Sequence, residues 1–384
     1  MSFWILYIIA FIPITIAGIL YAKNPKQFTW QEWAVNTVIC FAVAGVFHGC
    51  IAFNKTRDFE TWSGQVTNVV RVPEWVEHYQ IEHTETHTVG KVSYTTTWYS
   101  NHTEDHPEHW IANTDLPDLE IEISHPTFNE FKKKLGNTVS KVEGVRETSR
   151  LHSYMLSGDP LDYVTHNTTR IIIPVTNVYS FKNRVKAAST LFSFPPVPSS
   201  VKLPEYPVTE DPFKSERLVG SAVLLDLNQF DQMNTRLGYS KKVNVIMVGL
   251  NSASEMYGKY LESKWIGGKK NDLVIVYGGS NKSPTWVYAF SWTDKKTVLR
   301  MIEETVLNHG AINETLPKIE ELIRKYYQIK NWHDFDYISI PLSGRCVTIY
   351  VIFVTISQAL LMWWYSKNDI TEYTLGSGRR YRSW

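Results

Sequence analysis

Six of the chain's twelve histidines fall within 32 residues: His78, His83 and His87 in one run, and His102, His106 and His109 in the motif NHTEDHPEHW. Imidazole is a common metal ligand, and Glu82, Glu85, Glu104, Asp105 and Glu108 are neighbours of the kind that orient it from behind. A divalent cation on His102, His106 and His109 is the chemistry this cluster suggests. Structural zinc sites, however, bring two closely spaced pairs of Cys or His, and no thiolate lies nearby. The spacing therefore favours solvated strand and turn histidines over a metal centre, and no cofactor is assigned. On a regular strand His83 and His87 share one face while His78 points the other way.

The histidines must be positioned by strands. The segment HYQIEHTETHTVGKVSYTTTWYSNH alternates along two arms around a turn at Val89 to Lys91, which reads as a β-hairpin. A short helix over PTFNEFKKKLGNTVSK stops at Gly136. TRIIIPVTNVY reads as a further strand, with Pro174 arguing for an edge or a bulge. Residues 54–192 thus form a β-rich domain. SFPPVPSSVKLPEYPVTEDPF, residues 193–213, packs six prolines into a semi-rigid extended connection, where the domain boundary is placed.

Three segments are almost free of charge. Residues 3–22 and 33–53 make an N-terminal transmembrane helical hairpin, and residues 346–365 a C-terminal transmembrane helix, each long enough for a hydrocarbon core of about 30 Å. A cleaved signal peptide is the alternative for the first, but no Lys or Arg precedes it and the apolar run exceeds a typical h-region. Trp363 and Trp364 close the last span with aromatic rings suited to the headgroup layer. His48 lies inside the second span, where an ionisable side chain is a functional candidate by default. A neutral imidazole bonded to a carbonyl or to interfacial water is the plainer use. Ala42, Ala44, Gly45 and Gly49 would let another helix approach closely.

Lys23 and Lys26 in the short loop, and Lys367, Arg379, Arg380 and Arg382 in the tail of residues 366–384, place that loop and tail in the cytoplasm by the positive-inside rule. The large segment between the second and third spans is then extracytoplasmic. Lys55, Arg57 and Arg345 count against this, although a segment so long translocates largely regardless of charge. The basic tail would lie on anionic membrane lipid. Cys40, Cys50 and Cys346 all sit in or beside spans, so the large segment forms no disulfide. The 39 basic and 38 acidic residues leave a net charge of +1, which excludes a global basic field for nucleic acid.

After Leu218 the order becomes helix, strand, helix, strand, strand, helix, helix, which predicts a three-layer α/β sandwich over residues 214–340. Ser252 or Ser254 caps its second helix, and Gly267 with Gly268 provides the exit turn. The chain as a whole reads as an α+β membrane protein.

Within that region YGKYLESKWIGGKKNDLVIVYG resembles the signature of TPM domains, the YgcG-like fold of bacterial envelope and thylakoid lumen proteins. The matching residues are Trp265, Gly268, Lys270 and Asp272, preceded by the strand NVIMV, and the resemblance covers residues 224–327. It implies a domain beside a spanning helix. It also leaves two functional classes open, because members are described both as acid phosphatases and as assembly or repair factors of membrane complexes. Asp226 at the start of the first helix and Asp272 at the start of the second strand are the carboxylates that could share a cation at the sheet edge. Two aspartates are few for calcium, so a capping role for each is favoured.

No G-x-S-x-G, H-E-x-x-H, Walker loop or dinucleotide motif is present. The expected function is a membrane-anchored extracytoplasmic interaction or assembly-accessory protein, with a protein partner in or outside the membrane. The alternative is a metal-dependent phosphatase-like hydrolase on the outer face. A transporter component ranks below both, since no charged residue lines the spans.

Overall fold

A computed structural model describes residues 3–23, 28–89, 92–143, 153–155, 161–188, 194–252 and 254–367. Lys26, the centre of the hairpin turn and the basic tail beyond Lys367 lie outside the described residues.

In chain order the elements are α1 (Trp4–Lys23), α2 (Trp30–Thr56), β1 (Arg57–Val72), β2 (Trp75–Val89), β3 (Val92–His106), β4 (His109–Thr114), β5 (Glu120–Ile123) and α3 (His125–Leu135). Next come β6 (Val139–Glu143), β7 (Ser153–Met155), β8 (Leu161–His166), β9 (Pro174–Lys182) and α4 (Arg184–Ala187). The remainder is β10 (Leu218–Gly220), α5 (Leu227–Lys241), β11 (Asn244–Leu250), α6 (Met256–Lys264), β12 (Asp272–Ser280), β13 (Ser283–Ser291), α7 (Thr297–Asn308), α8 (Ile312–Tyr326) and α9 (Gly344–Lys367). The chain divides into two compact units, residues 1–60 with 179–195 and 331–384, and residues 61–178 with 196–330.

The first unit is built on α1, α2 and α9, each long and apolar enough to cross a membrane. α2 begins earlier than its apolar run because Thr29 and Glu32 form a capping box, each side chain satisfying the other's backbone N–H. Leu6, Ala10 and Ile14 of α1 bury against Cys40 and Ala44 of α2 and Tyr350 and Val354 of α9. Ala44 therefore serves packing within the chain, whereas Gly45 and Gly49 face open space. The flanks expose Ile8, Phe11, Val38, Val46, Ile352 and Leu360, the outward apolar surface that a hydrocarbon surround requires. Segments 179–188 and 331–343 gather beside the C-terminal end of α2. There Asn183 donates to Asp58 (2.7 Å), Lys55 to the Pro341 carbonyl and Arg184 to the Ile338 carbonyl (3.0 Å).

Among the described residues the second unit holds three sheets. One runs β5-β4-β1-β8-β6, with β9 also on β1. α3 covers it with Phe128, Phe131 and Leu135 on Val66, Val69 and Ala112, and Gly136 ends that helix at φ 117° as its sequence predicts. Pro174 opens β9, where it forfeits no interior ladder bond. A second sheet is the long ribbon β2–β3 with β7 beside it. The third, β10-β11-β12-β13, is parallel except for its last strand. α5, α7 and α8 lie on one face, burying Phe230, Leu237, Ile302 and Ile319. α6 lies on the other with Leu261 and Trp265 over Val248 and Val276. This is the expected three-layer sandwich, with the short edge strand β10 added to it.

The proline-rich stretch is not a free connection between two separate domains. Its Pro204 carbonyl accepts from Trp265 Nε1 (3.2 Å), Leu203 accepts from Lys264 (2.9 Å) and Pro212 accepts from the Thr176 N–H (2.8 Å). The β-rich and α/β halves meet directly. Asn271 Nδ2 donates to the Thr61 carbonyl (2.8 Å), and Arg217 Nη2 to Thr176 Oγ1 (3.0 Å), which also bonds Ser63 (3.0 Å). Extended proline segments hold little entropy to lose, so laying one along a sandwich costs less than ordering a flexible linker.

Candidate functional site

The ribbon organises the histidines in a way their local spacing leaves unstated. Antiparallel register places Trp75 opposite His106, Tyr79 opposite His102, His83 opposite Trp98 and His87 opposite Tyr94. All eight residues share one face, because positions on each strand differ by four and side chains alternate with period two. Each rung is a stacked aromatic–imidazole pair. Ring centroids are 4.3 Å apart for Trp75–His106, 5.6 Å for Tyr79–His102, 4.0 Å for His83–Trp98 and 5.3 Å for His87–Tyr94. The interplanar angles of these four pairs are 11°, 22°, 16° and 30°.

Polar groups between the rungs tie the imidazoles. Ser100 Oγ lies 2.7 Å from His83 Nε2 and 2.8 Å from His102 Nε2, so one hydroxyl bridges two rings across the ribbon. When both rings are neutral it donates to one and accepts from the other. His106 Nε2 is 2.9 Å from the buried carboxylate of Glu77, and His87 Nε2 is 3.5 Å from Glu85. This face is open and presents Trp98 and Tyr94 at about half exposure, 51% and 54%. An open aromatic and imidazole surface suits recognition, whereas catalysis needs an enclosed and desolvated centre.

The candidate metal trio is thereby split, in keeping with the strand and turn histidines that the spacing favours. His102 and His106 belong to the ladder, but His109 begins β4, opposite Val72, and bonds the Pro107 carbonyl (3.2 Å). Among the described residues no three His, Cys, Asp or Glu side chains gather to hold a metal. His78 takes the other face, as the alternation requires. Sequence reading missed the partners Trp75, Tyr79, Trp98 and Tyr94 and the bridge Ser100. A signal was present: each strand carries two aromatics and then two histidines at four-residue intervals, and an antiparallel turn pairs unlike members at every rung.

The aspartates are separated as well. Asp226 is the N-cap of α5, accepting from Gln229 N–H (3.1 Å), and its own N–H donates to Asn313 (3.1 Å). α5 leads into β11, so Asp226 stands by the strand ends occupied by Asn281, which meets Ile312, the neighbour of Asn313 in α8. Asp272 starts β12, an inner strand, at the opposite end of the strands. The 15 residues of α5, about 22 Å at a helical rise, separate the two, and one cation cannot bridge them. Asp272 is fully buried and accepts from the Lys269 N–H (2.7 Å), Asn244 Nδ2 (2.8 Å) and Tyr206 OH (2.8 Å). Burial pushes its carboxyl up, against those three donors. It clasps the turn in which Gly267 and Gly268 adopt φ 75° and 78°, a structural capping role. Trp265 anchors the other end of that turn. Loop closure thus accounts for Trp265, Gly268 and Asp272 in the W-x-x-G-x-K-x-D spacing.

Nearby, Arg217 is buried beside Asp231, and burial lowers its guanidinium to about 10 while raising Asp231. A cavity of about 570 Å³ opens among Gln65, Asp115, Arg236 and Arg324, but both arginines are already bonded to Glu320. In the first unit, His48 Nδ1 is 3.1 Å from Tyr7 OH, and its ring stacks on Phe3 at 4.2 Å. Trp363 and Trp364 project outward near the end of α9. No family model, curated protein or solved structure matches the chain.

Proposed function

We propose that this chain is a membrane-anchored interaction or assembly-accessory protein whose residues 54–345 stand outside the cytoplasm. The observation that carries the reading is the β2–β3 ribbon. At 15 residues a strand it reaches about 50 Å, while among the described residues the third strand β7 joins it only at Tyr79–Ile81. Two strands without a partner are marginal in water; among the described residues no further strand pairs with this ribbon toward its turn, where the aromatics Tyr94, Trp98 and Tyr99 are exposed. Such a surface offers edge hydrogen bonds and aromatic anchors to a protein partner. The TPM resemblance supports the same role through its assembly factors. The phosphatase alternative loses support from the separation of Asp226 and Asp272.

The test replaces Trp98 and Tyr99 by Ser in the full-length protein, extracted from its native membrane in mild detergent. The expected result is a fall in native complex mass from a protein that stays folded, its thermal transition lowered by no more than the loss of one stacked rung. An unchanged complex, or chelator-sensitive phosphate release by the wild-type protein, would overturn the reading.

A further inference from the structure

A hollow of about 700 Å³ in the first unit has two unlike walls. Phe3 just before α1, Tyr7 of α1 and His48 and Ala52 of α2 supply an apolar and aromatic wall, and Lys182 and Arg184 supply a basic one. A second hollow of about 560 Å³ shares Ala52 and Lys182 with it and adds Phe53 and Arg57. Lys182 therefore stands between the two.

The cations here exceed what the local carboxylates neutralise. Asp336 is taken by Arg184 (3.2 Å) and His333 (3.0 Å), and these contacts, led by the His333 hydrogen bond and joined by the more distant charge of Lys182, hold its carboxyl below the usual range. Asp58 is taken by Asn183 (2.7 Å) and Lys186 (3.4 Å). Lys182 forms no hydrogen bond or ion pair among the described residues, and Arg57 makes only cation–π contacts, 5.6 Å to Phe53 and 5.3 Å to Phe59. Both sit where α2 passes from apolar residues to Asn54 and Lys55. His48 lies seven residues before Lys55, about 10 Å along the helix, so the hollow extends from the end of the hydrocarbon into the headgroup layer.

We propose that this site binds the phosphodiester headgroup of an anionic phospholipid, with Lys182 and Arg57 meeting the phosphate and the acyl chains lying on the α2 surface at Gly49, Ala52 and Phe53. A phosphate at that depth gains charge-assisted hydrogen bonds that the two side chains do not find within the protein. The apolar wall selects a lipid over a soluble phosphate, because an ion alone would leave the Phe3 and Ala52 side unfilled. Tyr7 and Phe3 hold the His48 ring in place, which leaves Nε2 as its remaining polar atom. This explains an imidazole inside a span without assigning it a proton-transfer role.

The inference rests on α1, α2 and α9 spanning the membrane but not on any protein partner. The experiment counts lipids retained by the detergent-solubilised full-length protein in native mass spectrometry, titrated with phosphatidylglycerol or phosphatidylcholine of matched chains. Three variants accompany the wild type: Arg57→Gln with Lys182→Gln, Ala52→Leu, and the charge control Lys318→Gln with Lys325→Gln on α8. Expected are a preference for the anionic lipid, roughly a tenfold loss of that preference in the first two variants and none in the control. Inorganic phosphate and glycerophosphoglycerol, added as competitors, are expected to leave the lipid bound. Equal retention of both lipids, equal loss in the control, or displacement by either soluble phosphate overturns the lipid site. Alkaline washing of membranes separates the two levels: release of the wild-type protein would overturn the spanning reading as well, whereas retention without lipid preference overturns the headgroup site alone.

Discussion

Asp272 shows how much one buried carboxylate organises. Its three donors come from the Gly267 to Asn271 turn, from β11 and from the proline-rich segment, so its loss leaves the Lys269 N–H and the Asn244 amide unpaired in the interior. Asp272→Ala is expected to cost about 3 kcal/mol in urea unfolding of the full-length protein. The sign of the pH effect follows from the raised carboxyls of Asp272 and Asp231, both pushed up mainly by burial. The native state keeps these protons to higher pH than the unfolded chain does. Their contribution is therefore fully present below the ordinary aspartate range and is lost as pH rises through the raised values. Unfolding free energy measured against pH should fall across that window in the wild type, and Asp231→Asn should flatten the fall. An unchanged slope would remove burial as the cause.

Elements carry the next set of consequences. The ladder stabilises the ribbon by cross-strand pairing, each stacked rung contributing about 1 kcal/mol beyond simple burial. A double-mutant cycle of His83→Ala and Trp98→Ala should therefore give a coupling of about 1 kcal/mol, with hydrogen exchange accelerated at residues 81–100 rather than in β11 or β12. A coupling near zero would mean that the rings merely lie alongside. Gly238, in the last turn of α5, illustrates a different constraint. A Cβ there would stand 2.0 Å from the Ser63 carbonyl oxygen, which is backbone and cannot yield cheaply. Gly238→Ala should destabilise the second unit by about 3 kcal/mol, read by the shift of its urea midpoint. The element order of the α/β half was legible because buried strands and amphipathic helices differ in hydrophobic period. The edge strand β10, only three residues long, gives no period to read.

At the scale of the whole molecule, the units cut across the sequence segments. Residues 179–195 and 331–340 belong with the apolar helices, although each continues without a break in composition from the domain before it. The proposed topology places the second unit outside the cytoplasm. In a variant lacking Cys40, Cys50 and Cys346, a single cysteine at Lys318 should react with an impermeant maleimide on intact cells or spheroplasts. Labelling only after permeabilisation would invert the orientation while leaving the fold untouched.

Some of this architecture is one-dimensional information. Twenty apolar residues in a row specify a membrane-length helix whatever surrounds them, and alternation specifies the hairpin, because both depend only on neighbours along the chain. The four-residue intervals of Trp75, Tyr79, His83 and His87 against Tyr94, Trp98, His102 and His106 carry the ladder in the same way, once an antiparallel turn is assumed. Other features depend on which distant segments meet. Asp226 and Asp272 stay apart, each in the capping role favoured for it, because α5 runs back along the sheet and delivers its N-cap to the far ends of the strands. The proline-rich stretch becomes a structural strap because Trp265, Lys264 and Thr176 offer partners to its carbonyls. His48 gains a setting beside Lys182 and Arg184 only because β9 and α4 return to the end of α2. Such meetings are decided by the burial of whole surfaces, and no local pattern encodes them.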